Sequence, residues 1–347
     1  MKILIIGGTG NISSAISKGL AGREHDLTLF KKHSNVPDWL KDAHLVTGDR
    51  NDRADFERKL SALGTFDCVI DMLCYEPADA ECDARVFRGR TRQFIFCSTV
   101  DVYTKRPASF PVTEENGVIA PCPSFPYAWK KAECERILWE AHRRGDFALT
   151  ICRPTFSYNE SWSPGIHSFG GQSYHLDRLQ KGKPILMHGD GTSIWVASHR
   201  DDTATAFLGA IGNEKAFGQA YNCSGDEWMT QEYIWRTIAR LMNAPEPDFA
   251  CIPTDLLGKL APLQAEWCVE NFRFNNIFDN TKAKRDLGFN YTVKFEDGAR
   301  RCLEYLRANN LIENCEKHPY YDRILEAWRR SRTALISEFE NDPVRPE

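Results

Sequence analysis

Short apolar runs alternate with helix-patterned segments from the N-terminus of this 347-residue chain to about residue 155. The runs have the composition of buried strands, and the segments between them place apolar residues at helical spacing. The predicted strands are Lys2–Ile6, Leu27–Phe30, His44–Thr47, Phe66–Asp71, Gln93–Cys97 and Ala148–Cys152. The predicted helices are Asn11–Ala21, Asp52–Leu63, Ala78–Arg88 and Phe125–Arg144. This alternation predicts an α/β fold with a doubly wound parallel sheet and a ligand crevice at the carboxyl ends of its strands.

A glycine-rich turn, Gly7-Gly8-Thr9-Gly10-Asn11-Ile12-Ser13, lies between the first strand and the first helix. Glycines let a backbone turn tightly and approach a pyrophosphate, whose negative charge the helix N-terminus favours. Ser13 stands where such turns have a third glycine, and it is small enough to keep helix and strand close. The turn therefore predicts a dinucleotide site. Its binding residues are Gly7, Thr9, Gly10, Asn11 and Ile12.

The end of the second strand indicates which dinucleotide binds. An NAD site usually has an Asp or Glu there for the ribose 2′-hydroxyl. This chain instead has Lys31 and Lys32 after Phe30. Lys31 is suited to meet a 2′-phosphate, so the sequence favours NADP over NAD. The alternative is that both lysines are solvated loop charges.

Two further patterns indicate proton-transfer chemistry. Tyr127 and Lys131 stand one helical turn apart on one helix face, and a neighbouring ammonium stabilises a phenolate. Ser98 and Thr99 follow the predicted strand Gln93–Cys97, so their hydroxyls face the binding crevice. Thr99 is placed to hydrogen-bond a substrate oxygen. For Ser98 a strand-capping role is the alternative.

Composition excludes several other classes of protein. The 44 Lys and Arg against 48 Asp and Glu give no electrostatic case for binding nucleic acid. No apolar run has the length of a membrane helix, and Lys2–Ile6 is too short for a signal peptide. Twelve scattered cysteines without C-x-x-C favour a reduced, cytoplasmic protein, and the nine histidines form no metal-binding pattern.

Together these motifs resemble the extended short-chain dehydrogenases/reductases, the NAD(P)-dependent sugar epimerase/dehydratase superfamily, over nearly the whole chain. Further matches complete the resemblance. They are Gly48-Asp49-Arg50, Tyr103, Arg153-Pro154, His199 before Asp202 and Ala204, Tyr221-Asn222, and Asn280–Phe289. The resemblance implies a Rossmann sheet and a catalytic triad of Thr99, Tyr127 and Lys131, with Tyr127 as general acid/base.

The same resemblance assigns the remaining cofactor-binding residues. It places Asp49 and Arg50 beside adenine and Thr155 near the nicotinamide. Met72, Leu73 and Cys74 would line the cofactor after the fourth strand, and Ser98, Tyr127 and Lys131 would also touch it. A homodimer through the helices Ala78–Arg88 and Phe125–Arg144 is a further implication.

Some residues depart from the family pattern. Trp195 stands where nucleotide-sugar enzymes have a diphosphate-binding arginine four residues before His199, and only Arg273 lies near the position of a second one. Thr99-Val100-Asp101 lacks the first carboxylate of the sugar dehydratases. Part of the chain also resembles a subgroup that includes chloroplast stem-loop-binding proteins. An RNA-binding protein on a dehydrogenase scaffold is therefore the alternative hypothesis.

The domain prediction follows from where the alternation breaks down. Residues 1–155, with about 194–211, are predicted to form the dinucleotide-binding domain. Residues 156–193 and 212–347 would form a smaller α+β substrate domain that ends in a helical tail. The predicted protein is an NAD(P)-dependent oxidoreductase or epimerase. Its substrate would be a sugar-like small molecule with a hydroxyl or carbonyl, and it would need no metal.

Overall fold

The computed structural model describes residues 1–171 and 173–340. Gln172 and residues 341–347, which the predicted substrate domain includes, lie outside the described residues. The strands are β1 Lys2–Ile6, β2 Asp26–Lys31, β3 His44–Thr47, β4 Phe66–Asp71, β5 Thr91–Cys97, β6 Ala148–Pro154, β7 Phe156–Tyr158, β8 Ile185–His188, β9 Ile194–His199, β10 Gln219–Cys223, β11 Trp228–Thr230 and β12 Phe249–Ile252.

The α-helices lie close to the predicted segments wherever the sequence has clear periodicity. They are α1 Asn11–Leu20, α2 Arg53–Ser61, α3 Pro77–Val86, α4 Pro126–Arg143, α5 Tyr174–Gln180, α6 Arg200–Ala210, α7 Gln231–Met242, α8 Thr254–Leu260, α9 Thr281–Leu287, α10 Phe295–Ala308 and α11 Pro319–Glu340. None of these described helices combines the length and the apolar composition that crossing a bilayer requires.

Seven strands form one parallel sheet in the order β10-β6-β5-β4-β1-β2-β3. Both faces of the sheet are buried. In β1, Ile3 and Ile5 pack into the apolar core on one face, while Leu4 and Ile6 pack into the core on the other. A parallel strand buried on both sides must be apolar throughout, which explains the uninterrupted run at the N-terminus. The doubly wound α/β prediction is confirmed, and the strand order reverses between β1 and β4.

The chain divides into two compact units. Unit 1 comprises Met1–Asn159, Val196–Trp228 and Asn276–Phe295, and it contains the seven-stranded sheet. Unit 2 comprises Glu160–Trp195, Met229–Asn275 and Glu296–Glu347. In unit 2, β8 and β12 pair in parallel, and residues including Leu186, Ile252 and Tyr321 form an apolar core.

Unit 1 differs from the predicted dinucleotide-binding domain. The seventh strand of the sheet is β10, which lies in the segment assigned to the substrate domain and pairs with β6. The predicted strand near residue 194 is β9, and it pairs with β7 instead. The five residues of β10 include glutamine and asparagine, which do not form the apolar pattern of a buried strand.

Residues 276–295 also belong to unit 1, since side-chain hydrogen bonds fix them there. The Asp202 carboxylate accepts the backbone N–H groups of Thr292 at 2.9 Å and Val293 at 2.8 Å. The Asn280 amide donates to the carbonyl of Ser224 at 2.6 Å. The motif residues Asp202 and Asn280 thus have structural roles in this unit.

Candidate functional site

The glycine-rich turn lies at the carboxyl end of β1, at the point where the strand order reverses. Gly7 has a φ of +88°, and a Cβ on it would lie 2.5 Å from Cγ of Leu73, so both backbone conformation and space require glycine. Ser13 closes the turn, because its hydroxyl accepts the Gly10 N–H at 2.7 Å and donates to the Gly7 carbonyl. Ser13 therefore has a second role besides its small size, because its hydrogen bonds fix the shape of the turn.

Helix α1 begins at Asn11 and directs its N-terminus toward the end of the strand. The first N–H groups of a helix have no acceptor inside the helix, and they form a natural site for a phosphate. The Asn11 side chain is already engaged in unit 1. Its amide donates to the Ser157 carbonyl at 2.6 Å and its oxygen accepts from Asn159 at 2.8 Å. Asn11 would thus contribute its backbone to a ligand.

Both lysines at the carboxyl end of β2 have partners. The Lys31 ammonium donates to the carbonyl of Asn35, and Lys31 is largely buried. Lys32 forms an exposed ion pair with Asp49 at 2.8 Å, and this hydrogen bond lowers the pKa of Asp49. Lys31 and Asp49 therefore lie at the ends of the neighbouring strands β2 and β3.

Arg50, the predicted neighbour of adenine, is buried in ion pairs. Its guanidinium lies 2.8 Å from Asp83 and 3.4 Å from Asp71, and it stacks on the Phe56 ring at 3.9 Å. Asp71, Cys74 and Asp83 bring three metal-capable side chains together, but the Arg50 cation supplies positive charge there. Arg50 therefore supports the end of β4.

The segment after β4 connects the glycine turn to α4. The Leu73 N–H donates to the Asp71 carboxylate at 2.6 Å, and its side chain fills the space beside Gly7. The carbonyl of Cys74 accepts the Lys131 ammonium at 2.9 Å. Three predicted cofactor-binding residues, Met72, Leu73 and Cys74, thus lie between the turn and the predicted catalytic lysine.

Lys131 is buried at the ends of two strands. Its ammonium donates to the carbonyls of Cys74 at 2.9 Å and Cys97 at 2.8 Å, and it lies 4.3 Å from the centre of the Tyr75 ring. Tyr75 directly follows Cys74 and was not among the predicted site residues. Backbone carbonyls hold the charge of Lys131 without neutralising it.

The structure pairs two residues of the predicted triad, Thr99 and Tyr127, and places the third, Lys131, on the same helix as Tyr127. The Thr99 hydroxyl is hydrogen-bonded to the Tyr127 phenol. Burial raises the pKa of Tyr127 above its usual range, and the nearby Asp101, Cys97 and Tyr75 add to the increase. Thr99 and Tyr127 therefore form a hydrogen-bonded pair, in which the phenol keeps its proton in the absence of a ligand.

A buried polar network lies behind this pair. The Glu135 carboxylate accepts the Ser98 hydroxyl at 2.5 Å and two hydrogen bonds from Arg153. Arg153 also donates to the Tyr103 hydroxyl at 2.7 Å, which donates to Asn222 at 2.9 Å. Four of the motif residues thus belong to one network, and Ser98 uses its proton within it.

Sequence reasoning missed Glu135, although a signal was present. Glu135 lies one helical turn after Lys131 and two after Tyr127, so the three side chains share one face of α4. A charged residue on the buried face of a helix requires a partner of opposite charge. Arg153 is that partner. The family resemblance included Arg153 as a motif residue but assigned it no function.

Thr155 has an orphaned hydroxyl at the carboxyl end of β6. Its Oγ1 is buried and has no hydrogen-bond partner within the described part of the chain, while its N–H donates to the Cys223 carbonyl at 3.3 Å. An unsatisfied buried hydroxyl is costly unless a ligand pairs with it. This orphaned hydroxyl fits a bound dinucleotide.

Unit 2 contains the positions that depart from the nucleotide-sugar pattern. Trp195 packs edge-on against Phe272, with ring centres 4.6 Å apart. Arg273 forms an ion pair with Asp255 at 2.5 Å. Trp195 thus replaces one of the arginines expected for binding a diphosphate, and the Asp255 carboxylate already pairs with Arg273.

Known proteins resemble this chain in sequence. It is 30% identical, over 71% of its length, to the chloroplast stem-loop binding protein of 41 kDa b from Arabidopsis thaliana, and it spans 65% of that protein's length. It is 24% identical to the 2′-dehydrokanamycin reductase of Streptomyces kanamyceticus, over 80% of this chain and 77% of the reductase. The predicted resemblance to the stem-loop-binding subgroup is confirmed.

Solved structures share the fold. The UDP-glucose 4-epimerase of Thermotoga maritima superposes with a TM-score of 0.69 at 22% identity, covering 89% of this chain and 100% of the epimerase. The UDP-glucuronic acid 4-epimerase of Bacillus cereus, solved with UDP-glucuronic acid and NAD, gives 0.69 at 18% identity and the same coverage. Residues 3–224 match the family model described as the NAD dependent epimerase/dehydratase family, and the chain therefore belongs to that family.

Proposed function

We propose that the protein is an NAD(P)-dependent oxidoreductase or epimerase that acts on a hydroxyl or carbonyl of a sugar-like small molecule, with Tyr127 as the acid/base. The observation that carries this proposal is the hydrogen bond between Thr99 and Tyr127, in which Tyr127 lies on the same helix as the fixed Lys131 ammonium. A phenol is a poor acid or base at neutral pH without such neighbours.

The residues that would hold the cofactor are distributed along the carboxyl edge of the sheet. Gly7, Thr9, Gly10 and the N-terminus of α1 would receive the pyrophosphate. Lys31 would meet a 2′-phosphate, which favours NADP, and Asp49 would lie near the adenine. Met72, Leu73 and Cys74 would line the site, with Thr155 beside the nicotinamide. When bound, the nicotinamide supplies or accepts a hydride.

The chain's own residues would handle the proton. Tyr127 would give a proton to a carbonyl oxygen or remove one from a hydroxyl, while Thr99 orients that oxygen. Lys131 would bind the nicotinamide ribose and stabilise a phenolate through its charge. A cofactor that is regenerated gives net epimerisation, and one that leaves gives net oxidation or reduction.

The substrate would bind without the pair of arginines that holds a diphosphate in nucleotide-sugar enzymes. Trp195 supplies no cation at the first of the two expected positions. Arg273, near the second, is already paired with Asp255. A diphosphate binds poorly without such cations. The Streptomyces relative is named as a 2′-dehydrokanamycin reductase, a name that includes no nucleotide. We therefore favour a sugar-like ligand that is not attached to a nucleotide.

Two measurements test the proposal. Mass spectrometry of the purified protein should identify a co-purifying nicotinamide dinucleotide. Tyr127→Phe should abolish turnover across a panel of sugars and sugar-derived ketones while leaving cofactor affinity nearly unchanged. Tyr305→Phe, on the exposed part of α10, is the matched control. Retained turnover in Tyr127→Phe would remove Tyr127 from the chemistry.

RNA binding is the second candidate, because a relative at 30% identity is named as a stem-loop binding protein. A stem-loop RNA would then bind with an affinity that falls steeply as salt rises, and Tyr127→Phe would leave this affinity unchanged. No measurable binding of a panel of stem-loops at low salt would reject this candidate.

A homodimer is also part of the proposal. Helices α3 and α4 pack side by side in unit 1, and Trp129 on α4 is 45% exposed. An exposed tryptophan on a long helix suits a subunit interface. Analytical ultracentrifugation should give twice the chain mass, and Trp129→Glu should give the monomer. A monomeric wild-type protein would contradict this part.

A further inference from the structure

A buried ion pair directly follows β5. The Lys105 ammonium lies 2.6 Å from Oδ1 of Asp101, and these side chains are 9% and 10% exposed. Lys105 also lies 3.4 Å from Oδ1 of Asn276. Removing two charges from water costs free energy unless their attraction and further hydrogen bonds offset the cost. The proposed chemistry has so far given neither residue a role.

Asp101 determines which hydrogen bonds Thr99 can make. Oγ1 of Thr99 accepts the backbone N–H of Asp101 at 3.2 Å and donates its proton to Oδ2 of Asp101 at 3.2 Å. A hydroxyl has one proton and two acceptor positions. Because the carboxylate competes for the Thr99 proton, it draws that proton away from the phenol oxygen and turns Thr99 into an acceptor for Tyr127. The phenol must then be the donor, which requires it to be protonated.

The groups that face Tyr127 also favour the protonated phenol. Asp101 comes from the segment after β5, Cys97 from the end of β5 and Tyr75 from the segment after β4, and each raises the pKa of the phenol in addition to burial. A hydrogen bond donated by Thr99 to the phenol oxygen acts in the opposite sense and lowers the pKa of Tyr127, because it stabilises the phenolate. Lys131, on the same helix as Tyr127, donates to two backbone carbonyls.

We propose that Asp101 and Lys105 are positioning residues that hold Tyr127 as a proton-bearing donor, so that the centre is set to protonate a carbonyl oxygen at neutral pH. The inference rests on the proposed function and specifies the acidic role of the same site. In a reduction whose hydride a bound nicotinamide would supply to the carbonyl carbon, the phenol O–H bond breaks and an O–H bond forms on the substrate oxygen. The phenolate then takes its next proton from water.

The two members of the pair should act on Tyr127 with opposite sign. The Asp101 carboxylate favours the protonated phenol, whereas the Lys105 ammonium offsets the charge of that carboxylate. Removing the carboxylate should lower the pKa of the phenol. Removing the ammonium should raise it, because the carboxylate charge is then uncompensated. A purely structural role for the pair would produce no such reversal.

The test is a titration of residue 127 in the full-length protein. A difluorotyrosine at this position has a more acidic phenol, and its ionisation can be followed by fluorine NMR. Asp101→Asn should lower the midpoint by about one pH unit, and Lys105→Met should raise it by about one pH unit. Asp55→Asn should leave it unchanged. Asp55 pairs with Lys59 at the same i,i+4 spacing and at 2.6 Å on α2, which makes it a matched control.

The outcomes separate this inference from the proposed function. The titration needs neither cofactor nor substrate, so the proposed function can fail in the Tyr127→Phe assay without affecting the result. An unchanged midpoint in Asp101→Asn, or shifts of the same sign in both variants, would overturn the role of the pair. Lys105→Arg keeps the charge and should restore the wild-type midpoint. If Asp101→Asn does not fold, the comparison of Lys105→Met with Lys105→Arg decides the question.

Discussion

The carboxylate of Glu135 binds the guanidinium of Arg153 at two points, with Nε–Oε1 at 2.9 Å and Nη2–Oε2 at 2.6 Å. Both side chains are nearly inaccessible to water. Glu135 lies on α4, the helix that carries Tyr127 and Lys131, and Arg153 lies on β6. The ion pair thus anchors α4 to the sheet.

Glu135→Gln should destabilise the protein by about 3 kcal/mol, because it leaves the Arg153 charge buried and uncompensated. The amide keeps the shape of the side chain, so the loss reports on charge. Glu133→Gln removes an exposed partner of Arg136 and should cost less than about 1 kcal/mol. Urea unfolding measures both free energies. Equal losses in the two variants would contradict the prediction.

Thr155→Val should weaken cofactor binding about fivefold and leave the free energy of unfolding unchanged or slightly higher, since an orphaned hydroxyl is replaced by a methyl group. Thr150→Val should show the reverse pattern. The Thr150 hydroxyl donates to the Ala216 carbonyl at 2.8 Å, so its loss costs stability and not affinity. Calorimetric titration and thermal unfolding measure the two quantities. Unchanged affinity in Thr155→Val would place this hydroxyl outside the cofactor site.

Lys31→Ala should weaken NADP by about tenfold and NAD much less, because the charge-assisted bond to a 2′-phosphate exists only for NADP. Lys41→Ala removes an exposed lysine from the same region and should affect neither cofactor. Fluorescence titration of both reduced cofactors gives the two dissociation constants. An equal loss for NADP and NAD would defeat the NADP preference.

Acidification should destabilise unit 2 through His188. Burial lowers the pKa of His188 to about 4, and its Nδ1 lies 2.8 Å from the Ser168 hydroxyl. The unfolded chain binds protons from about pH 6.5, whereas the folded chain does so only near its lower pKa. Stability contributed by neutral His188 is therefore complete above about pH 6.5 and lost progressively toward pH 4.

The measurement is the free energy of unfolding in urea between these pH values. Wild type should lose up to about 3 kcal/mol more than His188→Gln on acidification. His33→Gln, at an exposed position, should behave as wild type. The prediction fails if the pH dependence of His188→Gln matches that of the parent. His167, whose pKa burial also lowers to about 4, contributes an acid-dependent loss that remains in every variant.

Local pattern was sufficient for most of the elements. The predicted helix Phe125–Arg144 is α4, and the predicted helical tail is α11. These predictions succeeded because helix and strand periodicities act over a few residues, where the sequence alone shows which side chains share a face. The placement of Tyr127 and Lys131 on one face follows from the same rule.

Other features required the folded chain. Nothing near Gln219–Cys223 indicates the seventh strand, because it forms only by pairing with β6 from a distant part of the sequence. The burial of Arg50 with Asp71 and Asp83 likewise depends on side chains from separate elements.

By itself, the sequence determined the alternating elements, the glycine turn and the spacing of phenol and amine on one helix. Tertiary structure alone decided the partners of the charged side chains: Glu135 with Arg153, and Asp101 with Thr99 and Lys105. The physical reason is range. Helical and extended backbones are set by neighbours in the chain, whereas a buried charge is stabilised by whichever opposite charge the fold brings within a few ångströms.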